Sequence, residues 1–131
     1  MSYKPTSLIF DLDLVSIRSE DYVARIPASL NTREKLFDAL IQQLKLPAYF
    51  GENWDALSEC LRDLSWIKTK RVIIVHSDLP PLDRHVLKTY LDVLEECITD
   101  WKPEEDHELF AVFPAYTREM ILLLREDQSP Q

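Results

Sequence analysis

Leu46-Pro47-Ala48-Tyr49-Phe50-Gly51-Glu52-Asn53-Trp54-Asp55-Ala56-Leu57-Ser58-Glu59-Cys60-Leu61-Arg62-Asp63-Leu64-Ser65-Trp66 is the stretch whose reading decides the fold. Pro47 ends the helical pattern before it and biases Leu46 away from helical geometry. Gly51 is the only glycine of the chain. A lone glycine between two helical patterns predicts a backbone position with φ > 0 or a close approach. Asn53 is placed to cap a new helix, with Asp55 in its first turn, where the helix dipole favours an acid.

Unrolled at about 100° per residue, the helix has two faces. Trp54, Leu57, Leu61 and Leu64 share one face and are expected in the core. Asp55, Glu59 and Arg62 lie opposite, with Asp63 beside them, and Trp66 joins them if the helix lasts that long. Charged helix faces are usually only solvated. Here the acids sit beside aromatic residues expected to be exposed (Tyr49, Phe50, Trp66), which points instead to a binding surface.

Leu-Pro-x-Tyr-Phe-Gly-Glu-Asn-x-Asp-Ala-Leu-x-x-Cys-Leu at 46–61 resembles the loop and second helix of the barstar family of intracellular ribonuclease inhibitors. Extended by pattern, the likeness spans 20–113. The resemblance implies that one helix and its preceding loop plug a ribonuclease active site, with an acid standing in for the RNA phosphate. Matched position by position, Glu59 takes the place of the family's phosphate-mimicking aspartate, one methylene longer, and Asp55 that of a second interface acid. Tyr49 and Trp66 would pack around these charges. A later helix contributes a second acidic pair in the family, and Glu96 and Asp100 match it. The implied contact set is Tyr49, Phe50, Gly51, Asn53, Asp55, Glu59, Arg62, Trp66, Glu96 and Asp100.

Composition agrees with a protein partner. The chain has 131 residues, enough for a single core, and a formal net charge of −8 with a pI near 4.8. Direct binding to a nucleic-acid backbone requires a basic patch, so an acidic chain disfavours it and favours a basic protein. Cys60 and Cys97 both fall on apolar helix faces and read as buried, reduced thiols. No CxxC or His/Cys cluster suggests a metal, and no cofactor is expected. There is no signal-peptide pattern and no apolar run of about 20 residues, so a cytoplasmic protein without a membrane span is expected.

In chain order, 7–15 and 20–27 read as strands, and 32–45 as a helix capped by Asn31 or Thr32. Arg71–His76 is a continuous β-branched run, which suits a parallel strand buried on both faces. A turn at Asp78-Leu79-Pro80-Pro81 leads into a helix over 82–101, carrying Val86, Tyr90, Val93, Leu94, Cys97 and Trp101. Residues 107–113 read as a strand ended by Pro114. The apolar run 120–125 reads as an edge strand or a short helix. The expected fold is α/β: a small parallel sheet with three core strands near 21–26, 71–76 and 107–113, one or two extra edge strands, and helices packed on it. All 131 residues form one domain, with 1–19 and 114–131 as additions to the family pattern.

A second resemblance lies at 8–13. Leu-Ile-Phe-Asp-Leu-Asp is similar to the nucleophile motif of haloacid-dehalogenase-type phosphatases, in which Asp11 would attack phosphorus and Asp13 serve as acid/base with Mg²⁺ bridging. Val72-Ile73-Ile74-Val75 followed by Ser77 resembles that family's second motif. The sequence departs from the pattern at Leu14, where a small residue is usual, and at Val15-Ser16, where Gly-Thr is missing. Alternating Asp on a half-exposed strand is the simpler account. The sequence therefore predicts a non-enzymatic inhibitor of a basic ribonuclease, monomeric when free, in the manner of a toxin-immunity protein. A Mg²⁺-dependent phosphatase and an acidic interaction module without a nuclease partner are the alternatives.

Overall fold

The computed structural model describes residues 6–47 and 50–126. Within them four strands form one sheet: β1 (Ile9–Phe10), β2 (Tyr22–Ile26), β3 (Arg71–His76) and β4 (Glu108–Phe113). The spatial order is β1-β4-β3-β2, and every pairing is parallel. Parallel neighbours need crossovers, and here helices supply them. Those crossover helices are α1 (Arg33–Leu44), α2 (Trp54–Asp63) and α3 (Arg84–Asp100), and a further helix, α4 (Arg118–Glu126), follows the last strand. The chain is thus an α/β protein, as its sequence predicts.

Strand alternation sorts the core into two layers. Ala24, Ile26, Val72, Ile74, Leu109, Ala111 and Phe113 face the helices and pack with Leu36, Leu40, Leu57, Leu61, Leu91 and Leu94. On the other face Ile73, Val75 and Val112 are covered by Val15, with Ile9, Val23 and Phe110 at the margin. β3 is buried along its whole length, as its β-branched run requires.

Val15 belongs to the segment that the sequence presents as a strand over 7–15. That segment extends the sheet by only two residues, pairing with β4. It then breaks at Asp11, whose φ of 114° no strand accommodates, and closes a 3₁₀ turn over Leu12–Leu14. The Asp11 carboxylate accepts a hydrogen bond from the Asp13 amide at 3.0 Å, a local bond that competes with a ladder. The other undecided segment is helical. In α4, Ile121 and Leu124 are buried three residues apart while Met120 and Leu123 are exposed, a helical and not an alternating pattern. Among the described residues no helix is long and apolar enough to cross a membrane.

Two buried polar units tie the layers together. Arg71 and Asp21 form an ion pair at 3.2 Å with side chains 10% and 1% exposed. The Arg71 guanidinium also donates to the Val15 carbonyl at 3.0 Å and lies 5.1 Å from the centre of the Phe110 ring. His76 is stacked on Phe113, and its Nδ1 lies 2.9 Å from the Val112 carbonyl. Its Nε2 lies 2.7 Å from the Tyr90 hydroxyl.

Candidate functional site

α2 is built as its sequence demands. Asn53 adopts an extended conformation and its side chain accepts from the Ala56 amide at 2.8 Å, so it is the N-cap, with Asp55 in the first turn. Leu57, Leu61 and Leu64 are fully buried, and Trp54 is half-buried over the Phe37 ring. Asp55 and Glu59 project outward and are exposed. Neither has a hydrogen bond or ion pair among the described residues.

The helix stops at Asp63. Leu64 takes the left-handed conformation with φ 50° and keeps its side chain in the core, turning the chain away. Trp66 therefore never reaches the acidic face, contrary to the expectation from helical spacing. It is half-buried, and its indole donates to the Leu44 carbonyl at 2.8 Å. Leu44 ends α1, so the tryptophan satisfies a carbonyl that the helix terminus leaves unpaired. Trp101 does the same for α2, donating to the Leu61 carbonyl at 2.9 Å.

The loop before α2 also differs from its reading. Phe50 is not exposed: it is 8% accessible and packs edge-on against Phe37 at 5.6 Å. An apolar ring beside the core gains more from burial than from the surface. Gly51 has no positive φ; Glu52, with φ 55°, is the residue in the left-handed region. A Cβ on Gly51 would meet Asn53 Nδ2 at 3.3 Å, so the glycine leaves room for the cap beside it. Tyr49 lies outside the described residues.

α3 brings up the second acidic pair. Glu96 and Asp100 are exposed on its last turns, beside α2. Arg62 reaches across, with Nε 2.5 Å from Asp100 Oδ2 and Nη2 3.9 Å from Glu96 Oε1. Its Nη1 lies 2.5 Å from the Ser58 hydroxyl. Ser58 is a member of this network that helical spacing alone does not single out. Nor does spacing reveal the His76–Tyr90 pair, which lies behind Trp54 with the two ring centres of Trp54 and Tyr90 6.3 Å apart. Burial pushes the His76 imidazole down to about 4 and the Tyr90 phenol up, so both are neutral near pH 7. Burial also pushes both thiols up, and Cys60 and Cys97 are free and buried, as expected.

Asp11 and Asp13 are exposed on the turn after β1. β1 and β3, the strands that carry the phosphatase-like segments, are separated by β4. Among the described residues no three His, Cys, Asp or Glu side chains are grouped to hold a metal ion.

The α/β fold thus carries the exposed carboxylates Asp55 and Glu59 on α2 and Glu96 and Asp100 on the adjacent α3. The family model described as "Barstar (barnase inhibitor)" matches residues 23–115. The chain belongs to the barstar family. A search of curated proteins finds no match to the chain.

Proposed function

We propose that this protein is a proteinaceous inhibitor of a basic ribonuclease, occupying the nuclease active site with α2 and the loop before it. The observation that carries the reading is the pair Asp55 and Glu59, exposed, adjacent and unpaired among the described residues. Asp55 gains from the helix dipole in the first turn, but Glu59 does not, and two like charges one turn apart repel mildly. A ribonuclease must hold a phosphate and so lines its site with Arg, Lys and His⁺, where carboxylates gain charge-assisted hydrogen bonds. The net charge of −8 steers association with such a partner and away from nucleic acid itself.

On this reading the chain is one domain, monomeric when free, with 1–19 and 114–131 added to the family pattern. It acts in the cytoplasm, by stoichiometric blockade and without turnover, as an immunity protein guards a cell against its own nuclease. The buried His76–Tyr90 pair serves the fold and not catalysis. The test is cleavage of a fluorogenic RNA by barnase and by the basic ribonucleases of the source cell, with this protein added in increments. The reading expects activity to vanish at one equivalent for at least one nuclease. Undiminished cleavage by all of them at a large excess overturns it.

A further inference from the structure

The four carboxylates of the acidic face are not equivalent. Asp55 and Glu59 stand unpaired among the described residues, whereas Asp100 and Glu96 share the Arg62 guanidinium. That guanidinium sits at the junction of α2 and α3 and holds three acceptors: Asp100 Oδ2 at 2.5 Å, Ser58 Oγ at 2.5 Å and, more loosely, Glu96 Oε1 at 3.9 Å. Ser58 is fixed in turn, its hydroxyl 3.7 Å from the Cys97 thiol. The planar fork of an arginine suits such bridging, which a lysine does not reproduce.

We propose that Arg62 is a specificity-determining residue of the acidic face: it keeps Asp100 and Glu96 in an internal ion pair, so that Asp55 and Glu59 are the carboxylates that engage a cationic partner. The inference rests on the proposed function in taking this face as the binding face. In the free protein the pair is exposed, with side chains 41% and 55% accessible for Arg62 and Asp100, and contributes little to folding. Beneath a partner water leaves, and charges at the same spacing act far more strongly on one another. A partner cation aimed at Asp100 then meets a guanidinium already there and must displace it. A partner whose cations converge on Asp55 and Glu59 meets no such obstacle. Arg62 thus rejects one arrangement of positive charge and admits another, which is how a repulsive element confers specificity.

The test is a double-mutant cycle on the full chain with two probes, barnase and an octa-arginine peptide, at low salt. Arg33→Ala is the charge control, since Arg33 lies on α1 and pairs with Glu34 and with none of the four carboxylates. Asp100→Ala is expected to weaken binding by less than about threefold in the otherwise native chain, and by about tenfold when Arg62 is already alanine. Arg62→Ala alone is expected to tighten binding by about tenfold, beyond the effect of Arg33→Ala, with an unchanged melting temperature. Arg62→Lys should fall between them, keeping the charge but not the fork. An equal cost of Asp100→Ala in both backgrounds, or weaker octa-arginine binding by Arg62→Ala, overturns the assignment. Octa-arginine coupling intact while neither barnase nor any basic ribonuclease of the source cell is bound overturns the ribonuclease reading and upholds the role of Arg62; coupling absent while a ribonuclease is still bound overturns only the role of Arg62.

Discussion

The Tyr90 hydroxyl lies 2.7 Å from His76 Nε2 inside a fully buried stack that continues to Phe113. The Val112 carbonyl, 2.9 Å from Nδ1, only accepts, so Nδ1 carries the proton of a neutral ring and Nε2 accepts from Tyr90. Tyr90→Phe removes that donor and leaves a buried acceptor unpaired. The expected loss is about 1–3 kcal/mol of folding stability, read from denaturant midpoints.

The same pair makes stability depend on pH. Burial lowers the His76 pKa from 6.5 to about 4 in the folded chain. Above pH 6.5 both states are neutral there and the group contributes no pH dependence. As pH falls from 6.5 towards 4 the unfolded chain takes up a proton that the folded chain refuses. Folding is then destabilised by up to about 3 kcal/mol, complete only below the folded pKa. Unfolding measured at pH 7 and pH 4.5 for the native chain and for His76→Gln isolates the effect: the variant should lose less stability between the two. Equal losses contradict the buried neutral histidine.

The Arg71–Asp21 pair predicts an unequal response. Asp21→Ala leaves a largely buried guanidinium without its counter-charge and should cost about 3–5 kcal/mol. Exchanging both for apolar residues of similar size should cost less than the single change. Urea melts of the single and double variants decide between them.

At the entry to α2 the left-handed residue is Glu52, not Gly51. Glu52→Gly should therefore stabilise, by about 0.5–1 kcal/mol, while Gly51→Ala displaces only the Asn53 amide. Asn53→Ala removes the cap and should cost about 1 kcal/mol. Thermal melts of the three variants give the order directly.

Sequence was most informative where local chemistry and packing agree. The β-branched run 71–76 and the Asn53 cap each have a single reading, and each is found where spacing puts it. The loop aromatics were not legible, because their fate depends on chain direction after a turn. Leu64 turns the chain left-handed and so withdraws Trp66, and Phe37 draws Phe50 inward. The run Met120–Arg125 fits strand or helix by composition, and only its pairing of Ile121 with Leu124 against the core selects the helix. From spacing within α2, Arg62 falls on the charged face, and the resemblance puts it in the contact set. That it bridges two helices needs the α2–α3 contact, which no spacing within one helix contains.

In the proposed function, α2 meets a ribonuclease through Asp55 and Glu59. Its most direct test is the kinetics of binding to an inhibited ribonuclease for Asp55→Ala, Glu59→Ala and, as an exposed acid on another helix, Asp38→Ala. The first two should each lose about 2–5 kcal/mol, mostly as faster dissociation, a range to which barnase–barstar complexes have themselves contributed. Their melting temperatures should hold, because both side chains point away from the Leu57 and Leu61 core, and Asp38→Ala should alter only the salt-dependent association rate. Native-like dissociation for Asp55→Ala and Glu59→Ala, with binding abolished by Glu96→Ala and Asp100→Ala, would make α2 a scaffold and contradict the account.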